Sequence, residues 1–156
     1  MPDARARIRR ASHVRRTSGQ SLTEMALFTP ILLLLALGTI EIGRFAFYSI
    51  EVSNAARAAV QYGAQSLTDS KDSHGLTLAA RRDAPEVSEL NVVSRDFCAC
   101  SETPEAHIGC PARNCVGHSV VFLQVNTSAS VSPLFRYPGL PARFVARGSA
   151  IMRVGQ

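Results

Sequence analysis

The sequence predicts an α+β chain: a long N-terminal membrane-spanning helix continuing into a small domain with an antiparallel sheet of about three strands. Three observations predict it. Residues 25–40 carry no charge, the next stretch keeps small and apolar residues at helical spacing, and the last third alternates with a period of two.

The helix comes first. In SGQSLTEMALFTPILLLLALGTIEIGRFAFYSI, residues 18–50, the sixteen uncharged positions 25–40 are followed by Glu41, Arg44 and a second apolar run, 45–50. At about 1.5 Å of rise per residue, 25–50 spans roughly 39 Å, against a hydrocarbon core of about 30 Å. One crossing is therefore expected, with Glu41 and Arg44 one turn apart near its far edge. Ser21 is an acceptable cap for the start. Pro30 removes one helical hydrogen bond and predicts a bend, while Gly38 and Gly43 offer close approach on the helix surface.

Glu24 stands at the near edge, where a carboxylate drawn into hydrocarbon costs on the order of 3 kcal/mol. Five residues before it lies Gly19, preceded by an arginine-rich segment with no apolar run of its own. A basic leader, a glycine, then a glutamate at the fifth position after that glycine resembles the processing site of type IV prepilins and pseudopilins. The resemblance implies cleavage between Gly19 and Gln20 by a prepilin peptidase on the cytoplasmic side. A secretory signal differs, because its apolar region precedes the cut and is discarded. Cleavage would place a new positive amine on Gln20, one turn from Glu24 and able to approach Glu24 of a neighbouring subunit. A buried amine in a helix bundle needs a counter-charge, so Glu24 is the expected assembly residue. The other reading makes Glu24 only a snorkelling helix end.

The net charge of +5 resembles a nucleic-acid signal until it is located. Six of the 17 basic residues (Arg5, Arg7, Arg9, Arg10, Arg15, Arg16) and one of the 12 acidic ones (Asp3) fall in residues 1–19, leaving eleven of each after Gly19. The leader's arginines then read as a positive-inside anchor, with the N-terminus cytoplasmic and the C-terminus across the membrane. No nucleic acid is expected as a partner. The same composition predicts a leader without fixed structure.

Beyond the membrane, YSIEVSNAARAAVQYGAQSL places Ile50, Ala55, Ala58, Ala59 and Tyr62 on one helical face, with Glu51, Arg57 and Gln61 elsewhere around it. The helix is expected to run to about Gln65 and its outer half to carry the globular part. Residues 68–75, TDSKDSHG, read as an exposed loop, and a short helix is expected over 76–82, stopped by Pro85. A first strand is expected over 88–97, with Leu90 and Val92 on one face. Residues 98–117 are too rich in Pro, Gly and Cys to predict regular structure. SVVFLQVNTSASV then puts Val121, Leu123, Val125, Thr127 and Ala129 on one face, SPLFRYPGLP is a proline loop, and ARFVARGSAIMRV alternates as a last strand.

The stretch NAARAAVQYGAQ, SPLF at 132–135 and SAIMRV at 149–154 are similar to the TadE-like pseudopilin family of the tight-adherence, Flp-type IVb pilus system. That resemblance implies a minor pilin-like subunit needed to assemble a thin pilus for surface attachment. It implies as partners the prepilin peptidase, the inner-membrane assembly platform, other pseudopilins, the major pilin and the membrane itself. The implied location is the bacterial inner membrane, single-pass, with a periplasmic C-terminal domain that reaches the pilus or cell surface on assembly.

Cys98, Cys100, Cys110 and Cys115 all lie in the segment expected outside the cytoplasm, where thiols oxidise. A bridge within Cys98-Ala-Cys100 would be strained, so each of these two is expected to pair with Cys110 or Cys115, in either order. A metal site using His107 and His118, or a redox-active pair, is the alternative; zinc knuckles usually have tighter cysteine spacing. No catalytic set stands out: His13, His74, His107 and His118 fall in expected leader or loops, and no nucleophile elbow or phosphate-cradling glycine loop is present. No enzyme activity, cofactor or metal is expected. The expected division is 1–19 leader, 20–50 transmembrane helix, 51–67 helix extension and 68–156 disulfide-stapled domain. The alternative function is an unprocessed, membrane-anchored periplasmic binding or thiol-redox domain.

Overall fold

The computed structural model describes residues 19–111, 115–135 and 142–155, without the side chains of 103–106. The arginine-rich segment expected to be a leader, including His13, and most of the proline loop lie outside the described residues.

The first long element is α1, Gln20–Gly63, which passes through Pro30. It is the one helix among the described residues that is long and apolar enough to cross a membrane. The chain divides into two compact units, Met1–Thr39 and Ile40–Gln156. In the first unit the large side chains, including Leu27, Ile31 and Leu34, are exposed.

The second unit holds the remainder of α1, two short helices and one sheet. The helices are α2 (Leu67–Lys71) and α3 (Ser73–Asp83); the strands are β1 (Asn91–Cys100), β2 (Thr103–Ile108), β3 (Ser119–Val131) and β4 (Phe144–Arg153). All neighbours are antiparallel, in the order β2-β1-β3-β4. The α+β expectation therefore holds, with four strands where about three were expected.

The core is where α1 meets β3 and β4. Val52, Ala55, Ala56, Ala59, Val60 and Gly63 are buried, a stripe with the three- and four-residue steps of one helical face. It differs from the expected stripe: Ile50 is exposed, and Ala58 and Tyr62 are half-buried. Leu123, Val125, Thr127, Ala129 and Val131 of β3 supply the facing layer, and Leu76, Ala80, Ala84, Val87 and Leu90 close it. Small residues on α1 let its backbone come close to the sheet. At Gly148, paired with Thr127 across β3 and β4, a Cβ would stand 2.6 Å from the Val52 carbonyl oxygen. Thr127 donates its hydroxyl to that same oxygen at 2.6 Å.

Two expected boundaries change for physical reasons. The segment expected to be an exposed loop, 68–75, is mostly helical, because Ser66 just before it and Asp72 within it act as caps. Ser66 accepts the Asp69 N–H at 3.1 Å to start α2, and Asp72 accepts the Gly75 N–H at 3.0 Å to start α3. The segment expected to be irregular, 98–117, contains the end of β1 and all of β2, joined at Ser101 and Glu102 as a hairpin. His74 and His107 consequently sit in α3 and β2 rather than in loops.

Candidate functional site

Gly19 immediately precedes α1, and Gln20 is its first residue. Glu24 lies one turn further and is exposed. The Gln20 side-chain amide donates to Glu24 Oε1 at 3.3 Å, and the Thr23 hydroxyl donates to the Gln20 carbonyl at 2.7 Å. The i, i+4 spacing brings the Gln20 side chain, not only its backbone, within reach of that carboxylate. The residues singled out for cleavage and assembly are thus adjacent in space.

The cysteines form a separate cluster. Cys98 pairs with Cys110 and Cys100 with Cys115, with Cα separations of 5.2 and 5.3 Å. Both β1 cysteines are buried, and the bridges tie Cys110 and Cys115 to the strand. The Glu102 carboxylate accepts the Val116 N–H at 2.6 Å and the Ser101 hydroxyl at 3.0 Å. Hydrogen bonds from its own N–H and from Val116 hold its carboxyl below the usual glutamate range. Cys100, Glu102 and Cys115 are close enough together to suggest a metal cluster, but two of the three donors are joined in a disulfide and are not thiolates. His107 instead stacks on Phe97 with ring centroids 4.1 Å apart, and the His118 carbonyl accepts the Ser101 N–H at 3.1 Å.

A third arrangement was visible in the sequence only as a charge pair. Glu41 and Arg44 are 3.4 Å apart, and the Arg44 guanidinium lies 5.8 Å from the centre of the Tyr48 ring. Glu41 Oε1 also accepts the backbone N–H of Leu134 at 2.6 Å. Those residues are 93 positions apart, and no local signal in the chain announces the contact.

The long apolar helix leading to a small antiparallel-sheet domain suggests a membrane-anchored protein. A family model described as TadE-like protein matches residues 19–61, which takes in Gly19, Gln20, Glu24 and nearly all of α1. The TadE-like resemblance read from the sequence is therefore found over this segment, and it suggests a protein associated with the tight-adherence pilus. No curated protein and no solved structure matches the chain.

Proposed function

We propose that this chain is a pseudopilin: a minor pilin-like subunit used to assemble a tight-adherence type pilus for surface attachment. It is held in the bacterial inner membrane by α1, its N-terminus cytoplasmic and its disulfide-stapled domain periplasmic. A prepilin peptidase cuts between Gly19 and Gln20. Glu24 then meets the new amine of Gln20 on a neighbouring subunit, and the assembly platform, other pseudopilins and the major pilin are the partners.

The single observation that carries this reading is the match of the TadE-like family model to residues 19–61, starting at the glycine of the proposed cut. The adjacency of Gln20 and Glu24 at the helix start supports it. The exposed apolar side chains of the helix support storage in lipid.

N-terminal sequencing of the protein from membranes of cells with an active prepilin peptidase tests it. The expected first residue is Gln20, or its cyclised form seen by mass spectrometry as loss of ammonia. A chain that keeps its arginine-rich start overturns the reading.

A further inference from the structure

Glu41 comes directly after the uncharged run 25–40 in α1. Its carboxylate accepts the Leu134 N–H at 2.6 Å. The segment so held is Ser132-Pro133-Leu134-Phe135, where Leu134 is 59% and Phe135 is 44% exposed. One turn further along α1, the Phe45 ring lies 5.8 Å from that of Phe144. Two large apolar side chains are therefore presented beside the point where the helix stops being uncharged.

The surrounding groups are those of a bilayer's headgroup layer: an ion pair of Glu41 and Arg44, the Tyr48 ring beneath that arginine, and Arg143, which is exposed. Aromatic and arginine side chains favour this layer because one part is apolar and another wet. The length agrees. With Glu24 at one edge, the uncharged run 25–40 covers about 24 Å as helix, most of the roughly 30 Å of hydrocarbon, which places the other bilayer surface at Glu41 rather than at Ile50.

We infer that residues 133–135 form a second, shallow membrane contact, with Leu134 and Phe135 dipping into the lipid headgroup layer and Glu41 holding their backbone in place. The hold on Leu134 by Glu41, the first charge after the apolar run in sequence, together with the Arg44 and Tyr48 groups beside it, selects lipid as the occupant. The inference rests on the reading of α1 as a membrane anchor.

The chain contains no tryptophan, so single tryptophans report their surroundings without background. The full chain carrying Leu32→Trp, Leu134→Trp or Val116→Trp is reconstituted into phosphatidylcholine vesicles whose acyl chains are brominated either near the headgroup or deep. Val116 is 98% exposed and serves as the water-facing control. Leu32→Trp is expected to be quenched most by deep bromines. Leu134→Trp is expected to be quenched at least twofold more by shallow bromines than Val116→Trp, and Phe135→Trp repeats the measurement if that variant does not fold. Quenching of Leu32→Trp alone overturns the shallow contact and leaves the anchor standing. No quenching of Leu32→Trp removes the anchor and the inference together. A blue shift at position 134 that grows with protein density, without quenching, assigns the patch to a second copy of the chain and also overturns it.

Discussion

Glu51 and Asp96 each keep one carboxylate oxygen buried without a hydrogen-bond partner. Burial, followed by the charges of Glu86 and Asp83, pushes the Glu51 carboxyl above its ordinary range. Burial does the same to Asp96, opposed by Lys71. A carboxyl that titrates higher in the fold than in the unfolded chain favours folding when protonated, and that benefit is lost as pH rises from the unfolded to the folded pKa. Glu51→Gln should therefore raise Tm at pH 7, with the gain shrinking to nothing as pH falls below about 4, near the unfolded value of glutamate. Thermal melts of both chains across pH 3 to 8 check this; an equal gain at every pH would assign it to something other than charge. Asp72 is the opposite case: hydrogen bonds from Gly75 N–H and the Tyr62 hydroxyl hold its carboxyl low, so its contribution is present at neutral pH and lost in acid. None of this was legible along the chain. Glu51 reads as a polar-face residue, because helical spacing gives an angle around the axis and not the positions of Glu86 and Asp83, which arrive from elsewhere in the chain.

At the scale of elements, the seat of α1 on the sheet depends on having no side chain at Gly148. A methyl there meets the Val52 carbonyl and the Ser53 Cα, both backbone, so neither can rotate away. Gly148→Ala should cost about 1–3 kcal/mol in urea denaturation, while Ser149→Ala on the outer face should stay within about 0.5 kcal/mol. Equal effects would show that the close approach is not what the glycine permits. The bridges act on another element. Cys98–Cys110 and Cys100–Cys115 close separations of 12 and 15 residues. Removing either pair with serines should cost about 3 kcal/mol, read from the denaturation midpoint. Strand β3 was readable to its ends, since Leu123, Val125, Thr127 and Ala129 alternate cleanly against their neighbours. Strand β2 was not. Pro104 and the flanking cysteines argue against a strand locally, and pairing with β1 overrides them. Asp72, one of the residues that suggest a loop, is the same one that begins α3 once cap geometry is known, and Ser66 just ahead of the expected loop begins α2.

For the molecule as a whole, the proposed assembly role turns on one carboxylate. Glu24→Ala should leave membrane insertion unchanged and reduce incorporation into pili by roughly tenfold or more, the size expected when a buried charge loses its partner, measured by comparing sheared pili with the membrane fraction. Unchanged incorporation would make Glu24 a helix-end residue only. The sequence by itself determined the membrane-length helix, the arginine-rich segment ahead of Gly19, the α+β class and the set of four cysteines. Each of these depends on composition or on a fixed period along the chain, which needs no knowledge of what folds against it. Only the tertiary structure decided which cysteine meets which, which face of α1 is buried, that a fourth strand exists, and that Glu41 holds the backbone of Leu134. Those are contacts between residues far apart in sequence, set by the shape of the core and by where each backbone group can find a partner.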